Sequence, residues 1–251
     1  MATTKTITDR SSEWFVPTIG PHLLRAVVGL LFLPYTGMVL AYTLIGSMLA
    51  EWVYWDRVAA ILAIYFLALG VGAHTLDAIG SKESKPWGVV LPTRLLWVMA
   101  LSSILLAYAI GMYYMVLYTP LLWLIAIPEG FFLLAYNLEW FEGRFHTDGW
   151  FALSWGMLPV LAGYILQTNR ISVSALLVAG SMGLLSLVEI TASRPYKILK
   201  RDAGWTAPAL TDERYQTMQR FERILKSLSA GVMLLGVGLL LWRWLWPALP
   251  L

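Results

Sequence analysis

Residues 92–114 read PTRLLWVMALSSILLAYAIGMYY, an apolar run whose one charged group, Arg94, stands near its start. A helix needs about 20 predominantly apolar residues to cross the ~30 Å hydrocarbon core of a bilayer, and this run has that length. The rest of the chain repeats the pattern. Of 251 residues, 59% are hydrophobic and 13% charged, against about 25% charged in a typical soluble domain. The apolar residues are gathered in long runs, and the ~10-residue alternation of a membrane β-barrel does not occur.

The sequence therefore predicts an all-α, polytopic integral membrane bundle of about seven transmembrane helices, near 25–49, 57–79, 92–114, 118–137, 150–168, 172–192 and 224–247. Turn signals separate them: Gly80 to Pro92, Thr119-Pro120, Gly143 to Gly149, Thr168-Asn169, and Arg194-Pro195 to Pro208. Residues 1–251 read as one domain, with a short N-terminal tail at 1–22 and a loop with an amphipathic helix at 194–223. That helix either extends the last span or lies along the headgroups. The first ~20 residues are polar and the first apolar run is long, so no cleaved signal peptide is expected.

Lys and Arg set the orientation. One set of span ends carries Lys5, Arg10, Arg25, Lys82, Lys85, Arg94, Arg144, Arg194, Lys197, Lys200, Arg201, Arg214, Arg220, Arg223 and Lys226; the other carries Arg57, Arg170 and Arg243. This asymmetry alternates correctly over seven spans. It predicts a multi-pass cell-membrane protein with its N-terminus in the cytoplasm and its C-terminus outside. Trp52, Tyr54, Trp55, Trp242, Trp244 and Trp246 fit an aromatic belt at the outer interface.

Ionisable groups inside a span cost at least about 2.5–3.5 kcal/mol at its centre, so each asks for a reason. His74 and Asp77, three residues apart, project from one helical face near the cytoplasmic end of the second span. The fourth span holds Glu129 beside Pro128 and ends with Asn137, Glu139, Glu142, Arg144, His146 and Asp148; the sixth holds Glu189. His74, Asp77, Asn137, Glu139, His146 and Asp148 reach the same interfacial layer, and Glu129 and Glu189 sit deeper. Such a set, drawn from several helices, is how bundles assemble metal sites.

Plainer roles compete with this one. His74 and Asp77 can pair with each other, Asp148 can cap the fifth span, and Glu139 and Glu142 can be solvated loop charges. Asn137 can bond a neighbouring helix, Glu129 can serve backbone freed by Pro128, and Glu189 can pair with Arg194. Gln167, at the other end, reads as structural. The absence of cysteine removes disulfides, thiolate ligands and Cys nucleophiles. No basic patch interleaved with aromatics points to nucleic acid.

The second-span motif resembles the UbiA superfamily of intramembrane prenyltransferases, which carries Asn-Asp-x-x-Asp-x-x-x-Asp at this place, commonly followed by Lys-Pro or Arg-Pro. Here the frame runs from Ala73 through His74 and Asp77 to Ser81, with Lys85-Pro86 following. The stretch from Asn137 to Glu142-Gly143-Arg144 is similar to the family's second acidic motif, and Arg25 with Pro34 to its opening helix. His74 and Ser81 stand where the family has aspartates, and seven spans replace the usual nine. The resemblance implies an enzyme in which acidic residues hold Mg²⁺ against a prenyl diphosphate, with a lipid-facing tunnel for the chain.

On that basis the leading expectation is a UbiA-like enzyme acting on a membrane lipid or isoprenoid, a prenyl diphosphate, at the cytoplasmic leaflet with a divalent metal. His74, Asp77 and Glu139 would be catalytic. His74, Asp77, Glu139, His146 and Asp148 would hold the metal, Mg²⁺ or, given the imidazoles, Zn²⁺, Fe²⁺ or Mn²⁺. Lys82, Lys85, Arg94, Asn137 and Arg144 would bind substrate. One alternative is a non-haem metal-dependent lipid oxygenase, desaturase or hydrolase built from the same residues. Another is a subunit of an oligomer or membrane complex, or a small transporter, in which Glu129 and Glu189 are proton or packing sites.

Overall fold

A computed structural model describes residues 13–80, 91–205 and 212–246. The described residues form an all-α bundle. Its helices are α1 (His22–Leu30), α2 (Leu33–Met48), α3 (Trp55–Gly80), α4 (Thr93–Leu117), α5 (Trp123–Asn137), α6 (Asp148–Thr168), α7 (Val173–Trp205) and α8 (Asp212–Leu245). A 3₁₀ turn, Pro120–Leu122, leads into α5. Six helices are each long and apolar enough to cross a membrane; α1 and α2, bent by 41°, make a seventh if taken as one span.

The continuous first helix expected over 25–49 is thus two. Phe32 takes a left-handed conformation (φ 46°) and Pro34 opens the second piece. Proline suits the first turn of a helix, where its missing N–H is not needed, but not the interior. The Thr36 hydroxyl donates to the Leu31 carbonyl at 2.6 Å and so serves a group that the break leaves open.

The boundary expected at Arg194-Pro195 does not occur. α7 runs through Pro195 to Trp205 and α8 begins at Asp212, so most of the predicted loop at 194–223 is helix and its second half extends the last span. At about 1.5 Å per residue these helices are close to 50 Å long and overrun the hydrocarbon core. Their overhangs pack together through Tyr196, Met218, Phe221 and Leu225, with Trp14 against them.

The enclosed centre is α2, which packs on α6 and α8 through small residues. Gly46 lies against the Val160 carbonyl, Gly163 against the Thr43 carbonyl, and Gly236 against Ala41. Without a hydrophobic force between helices in lipid, such close backbone approach supplies the dispersion that holds them.

The connections at the end away from most of the Lys and Arg residues are bonded to neighbouring helices. The Tyr54 N–H donates to Gln167 Oε1 at 2.7 Å, and Gln167 Nε2 returns a bond to the Tyr54 carbonyl at 3.2 Å. Asn169, left-handed at the end of α6, accepts from the Leu121 N–H at 3.0 Å. Arg57 donates to the carbonyls of Leu166 and Gln167, and Arg243 to those of Ala50 and Glu51.

Candidate functional site

At the opposite end, rich in Lys and Arg, the ends of α3, α5, α6 and α7 meet around the start of α2. Two departures from α-helical winding help form it. Phe66–Ala73 of α3 and Ala152–Met157 of α6 are π-helical, and the first stretch ends at His74 while the second carries Trp155. A π-turn adds a residue to the helical repeat and rotates every downstream side chain, a device frequent at functional sites. The His74 ring lies between Phe32 (centroids 5.6 Å apart) and Trp155 (5.3 Å). Tyr35 packs on Phe32 at 4.4 Å and on Phe151 at 6.2 Å, and Phe151 stacks on Trp155 at 5.4 Å.

Polar groups gather behind this aromatic wall. The Tyr136 hydroxyl lies against Arg194, with Asp77 and Asp148 close enough to interact with it electrostatically. Arg194 Nε pairs with Asp148 at 2.7 Å, and its Nη2 donates to the His146 carbonyl at 3.2 Å. Lys197 Nζ stands over the rings of Phe32 (5.2 Å) and Tyr35 (5.7 Å) and faces the buried Glu189. Tyr35, Glu189 and Ser193 are neighbours; the Tyr35 and Ser193 hydroxyls lie beside each other, and Glu189 Oε1 is buried without a hydrogen-bond partner.

Several of the plainer roles change accordingly. Thr147, not Asp148, caps α6, accepting from the Trp150 N–H at 3.4 Å. Lys197 rather than Arg194 faces Glu189, because Arg194 is engaged by Asp148 and His146. Asn137 donates to the Leu133 carbonyl of its own helix at 2.9 Å instead of to a neighbour. Gly80 presses on the Asn137 carbonyl, a closeness no side chain would permit, and so brings the motif ends of α3 and α5 together.

The predicted metal ligands do not assemble into a metal site. The His146 ring stacks on Tyr136 at 4.3 Å, with Nδ1 3.0 Å from the Tyr136 carbonyl, and Asp148 is held by Arg194. Glu139 is left-handed (φ 51°) in the connection after α5. Among the described residues no three His, Asp or Glu side chains converge as a metal would require.

Of the predicted substrate contacts, Arg94 and Arg144 are exposed, while Lys82 and Lys85 lie outside the described residues. Glu129 lies apart from this end. Its Oε1 accepts a 2.9 Å bond from the Tyr65 hydroxyl, so it does not serve backbone freed by Pro128.

Tyr35, Tyr136, Trp155, Ser193, Arg194 and Lys197 form much of the site and were not predicted as part of it. A tyrosine inside a span carries a hydroxyl that needs a partner, and that signal was available for Tyr35 and Tyr136. No protein-family model, curated protein or solved structure matches this chain.

Proposed function

We propose that the chain is a diverged UbiA-like intramembrane enzyme. It takes an isoprenoid or comparable lipid with an anionic headgroup at the Lys- and Arg-rich end of the bundle, which faces the cytoplasm. The supporting observation is the meeting of Asp77, Tyr136, Asp148, Glu189, Arg194 and Lys197, from four separate spans, behind the wall of Phe32, Tyr35, Phe151 and Trp155. Such a junction offers cations to a headgroup and aromatic faces to the first carbons of a chain.

In prenyl transfer the bond from allylic carbon to diphosphate oxygen breaks with both electrons leaving on diphosphate, and a nucleophile then bonds the carbon. In this reading Lys197 and Arg194 offset the leaving charge. The rings of Phe32, Tyr35 and Trp155 face the allylic cation, which aromatic quadrupoles attract. His74 and Asp77 are the groups able to accept a proton. No step in this reading is routed through a metal.

The test is thermal unfolding of the detergent-purified protein in EDTA with geranylgeranyl diphosphate. At a hundredfold excess over Kd a ligand stabilises by about 2.7 kcal/mol, which for a chain of this size raises Tm by roughly 5–10 °C. The shift is expected without Mg²⁺ and should largely vanish in Lys197→Ala with Arg194→Ala. No shift, or one that appears only with Mg²⁺, overturns the proposal.

A further inference from the structure

A second site lies near mid-membrane, away from the charged end. A cleft opens between α3, α4, α5 and α6. Its walls are apolar, with Ile64, Ala107, Gly111, Ile125, Leu133 and Ala162 among them, and three polar side chains also line it: Tyr65, Tyr108 and Glu129. Tyr65 gives its proton to Glu129 Oε1 at 2.9 Å, and Tyr108 gives its own to the Ala126 carbonyl at 2.9 Å. Gly130 makes the second bond feasible, since a Cβ there would collide with the Tyr108 hydroxyl.

Both phenol protons are thus used, whereas Glu129 Oε2 is buried with no partner. Glu129 lies about 14 Å along the segment that starts at Pro120, near the middle of a ~30 Å core. A carboxyl at that depth in an apolar cleft has one open hydrogen-bonding position and no cation among the cleft's lining residues.

We propose that this cleft binds a lipid alcohol, a long apolar molecule ending in one hydroxyl, with that hydroxyl on Glu129 Oε2. A hydroxyl both donates and accepts, so it satisfies the carboxyl whether protonated or ionised. A carbonyl satisfies only the protonated form, and an anionic headgroup meets no positive charge there. The inference stands independently of the reading of the charged end.

The experiment is binding of radiolabelled farnesol to the detergent-purified full chain, with farnesyl methyl ether and farnesene as competitors. Farnesol should compete best and the hydrocarbon worst. Loss of the one polar contact in Glu129→Leu should weaken farnesol by about tenfold or more. Glu129→Gln, which can still donate and accept, should stay within about threefold.

Gly111→Leu provides a second test without removing a polar group. Its Cβ would meet Met115 and Ile64 at 3.7 and 3.8 Å, ordinary contact distances, while the side chain fills the cleft and abolishes binding. Lys197→Ala should leave farnesol binding unchanged, which separates this site from the charged end. Unchanged affinity in both Glu129→Leu and Gly111→Leu, or equal competition by farnesene, overturns the proposal.

Discussion

Replacing Gln167 by Leu makes the chain more apolar at nearly constant volume, and hydropathy alone predicts a neutral or stabilising change. The structure predicts the opposite. Gln167 is 3% exposed, and its amide both accepts from the Tyr54 N–H and donates to the Tyr54 carbonyl. Leucine leaves a donor and an acceptor unserved, and each buried orphan costs about 1–3 kcal/mol. Tyr54 is 49% exposed at the membrane edge, so water recovers part of that cost. A net loss of about 2–3 kcal/mol remains, a Tm drop of roughly 4–12 °C for a chain of this size. Thermal unfolding in detergent, followed by tryptophan fluorescence, measures it. Gln167→Glu keeps the acceptor and loses the donor, and should fall between the two. A Gln167→Leu protein that melts at or above the parent refutes the role given to this pair.

Gly46→Ala should destabilise by about 1–3 kcal/mol, because its methyl enters the Val160 carbonyl at the closest approach of α2 and α6; thermal unfolding or loss of folded yield reports it. Tyr35→Phe and Ser193→Ala each remove one of two neighbouring buried hydroxyls. They should be neutral or raise stability by about 1 kcal/mol while weakening geranylgeranyl diphosphate, whereas a melting loss above 1 kcal/mol would mean that these hydroxyls hold the fold. Because the chain has no cysteine, single cysteines at the exposed Ile19 and Trp246 can be labelled cleanly with a membrane-impermeant maleimide. In intact cells the Lys/Arg asymmetry predicts labelling at 246 and not at 19, and the reverse pattern would invert the orientation.

What the sequence revealed follows from where its signals are local. Run length depends on no partner, so six of the seven expected spans, and the seventh as the bent α1–α2 pair, could be read directly. The break at Phe32 could not, since nothing local marks that residue for a left-handed conformation; Pro34 pointed to it, and proline can also sit quietly in a membrane helix, as Pro195 does. Side-chain direction was less legible still. The spacing of His74 and Asp77 fixes their relation to each other, but the π-helical turns upstream decide what they face, and these leave no clear sequence mark. Depth indicated that the ends of α3, α5, α6 and α7 share a layer. It could not show that Arg194 would occupy Asp148, or that Tyr136 would cover His146.

The two ends of the bundle use polarity differently. At the far end, Arg57 and Arg243 are two of the three cations that break the Lys/Arg asymmetry. Both serve backbone carbonyls, Arg57 at the close of α6 and Arg243 just past α2. A helix leaves its last carbonyls without intrahelical partners, and a guanidinium near them is favoured by charge and geometry alike. Gln167 and Asn169 likewise bond backbone. That end is chemically closed, and its polar side chains are explained by folding alone.

At the charged end the same explanation covers Thr147 and Asn137 but stops at Tyr35, Glu189 and Ser193. These come from α2 and α7 and lie together; the Tyr35 and Ser193 hydroxyls face each other, and Glu189 Oε1 is buried with no partner. Folding alone would favour an apolar residue at 189, since an unserved buried polar atom costs stability that an apolar replacement regains. A buried carboxyl with an open position beside Lys197 makes sense if a ligand supplies the missing partner. The contrast between an end whose polar side chains are served and one that leaves Glu189 Oε1 open therefore supports the proposed binding end better than the number of charges at either end does.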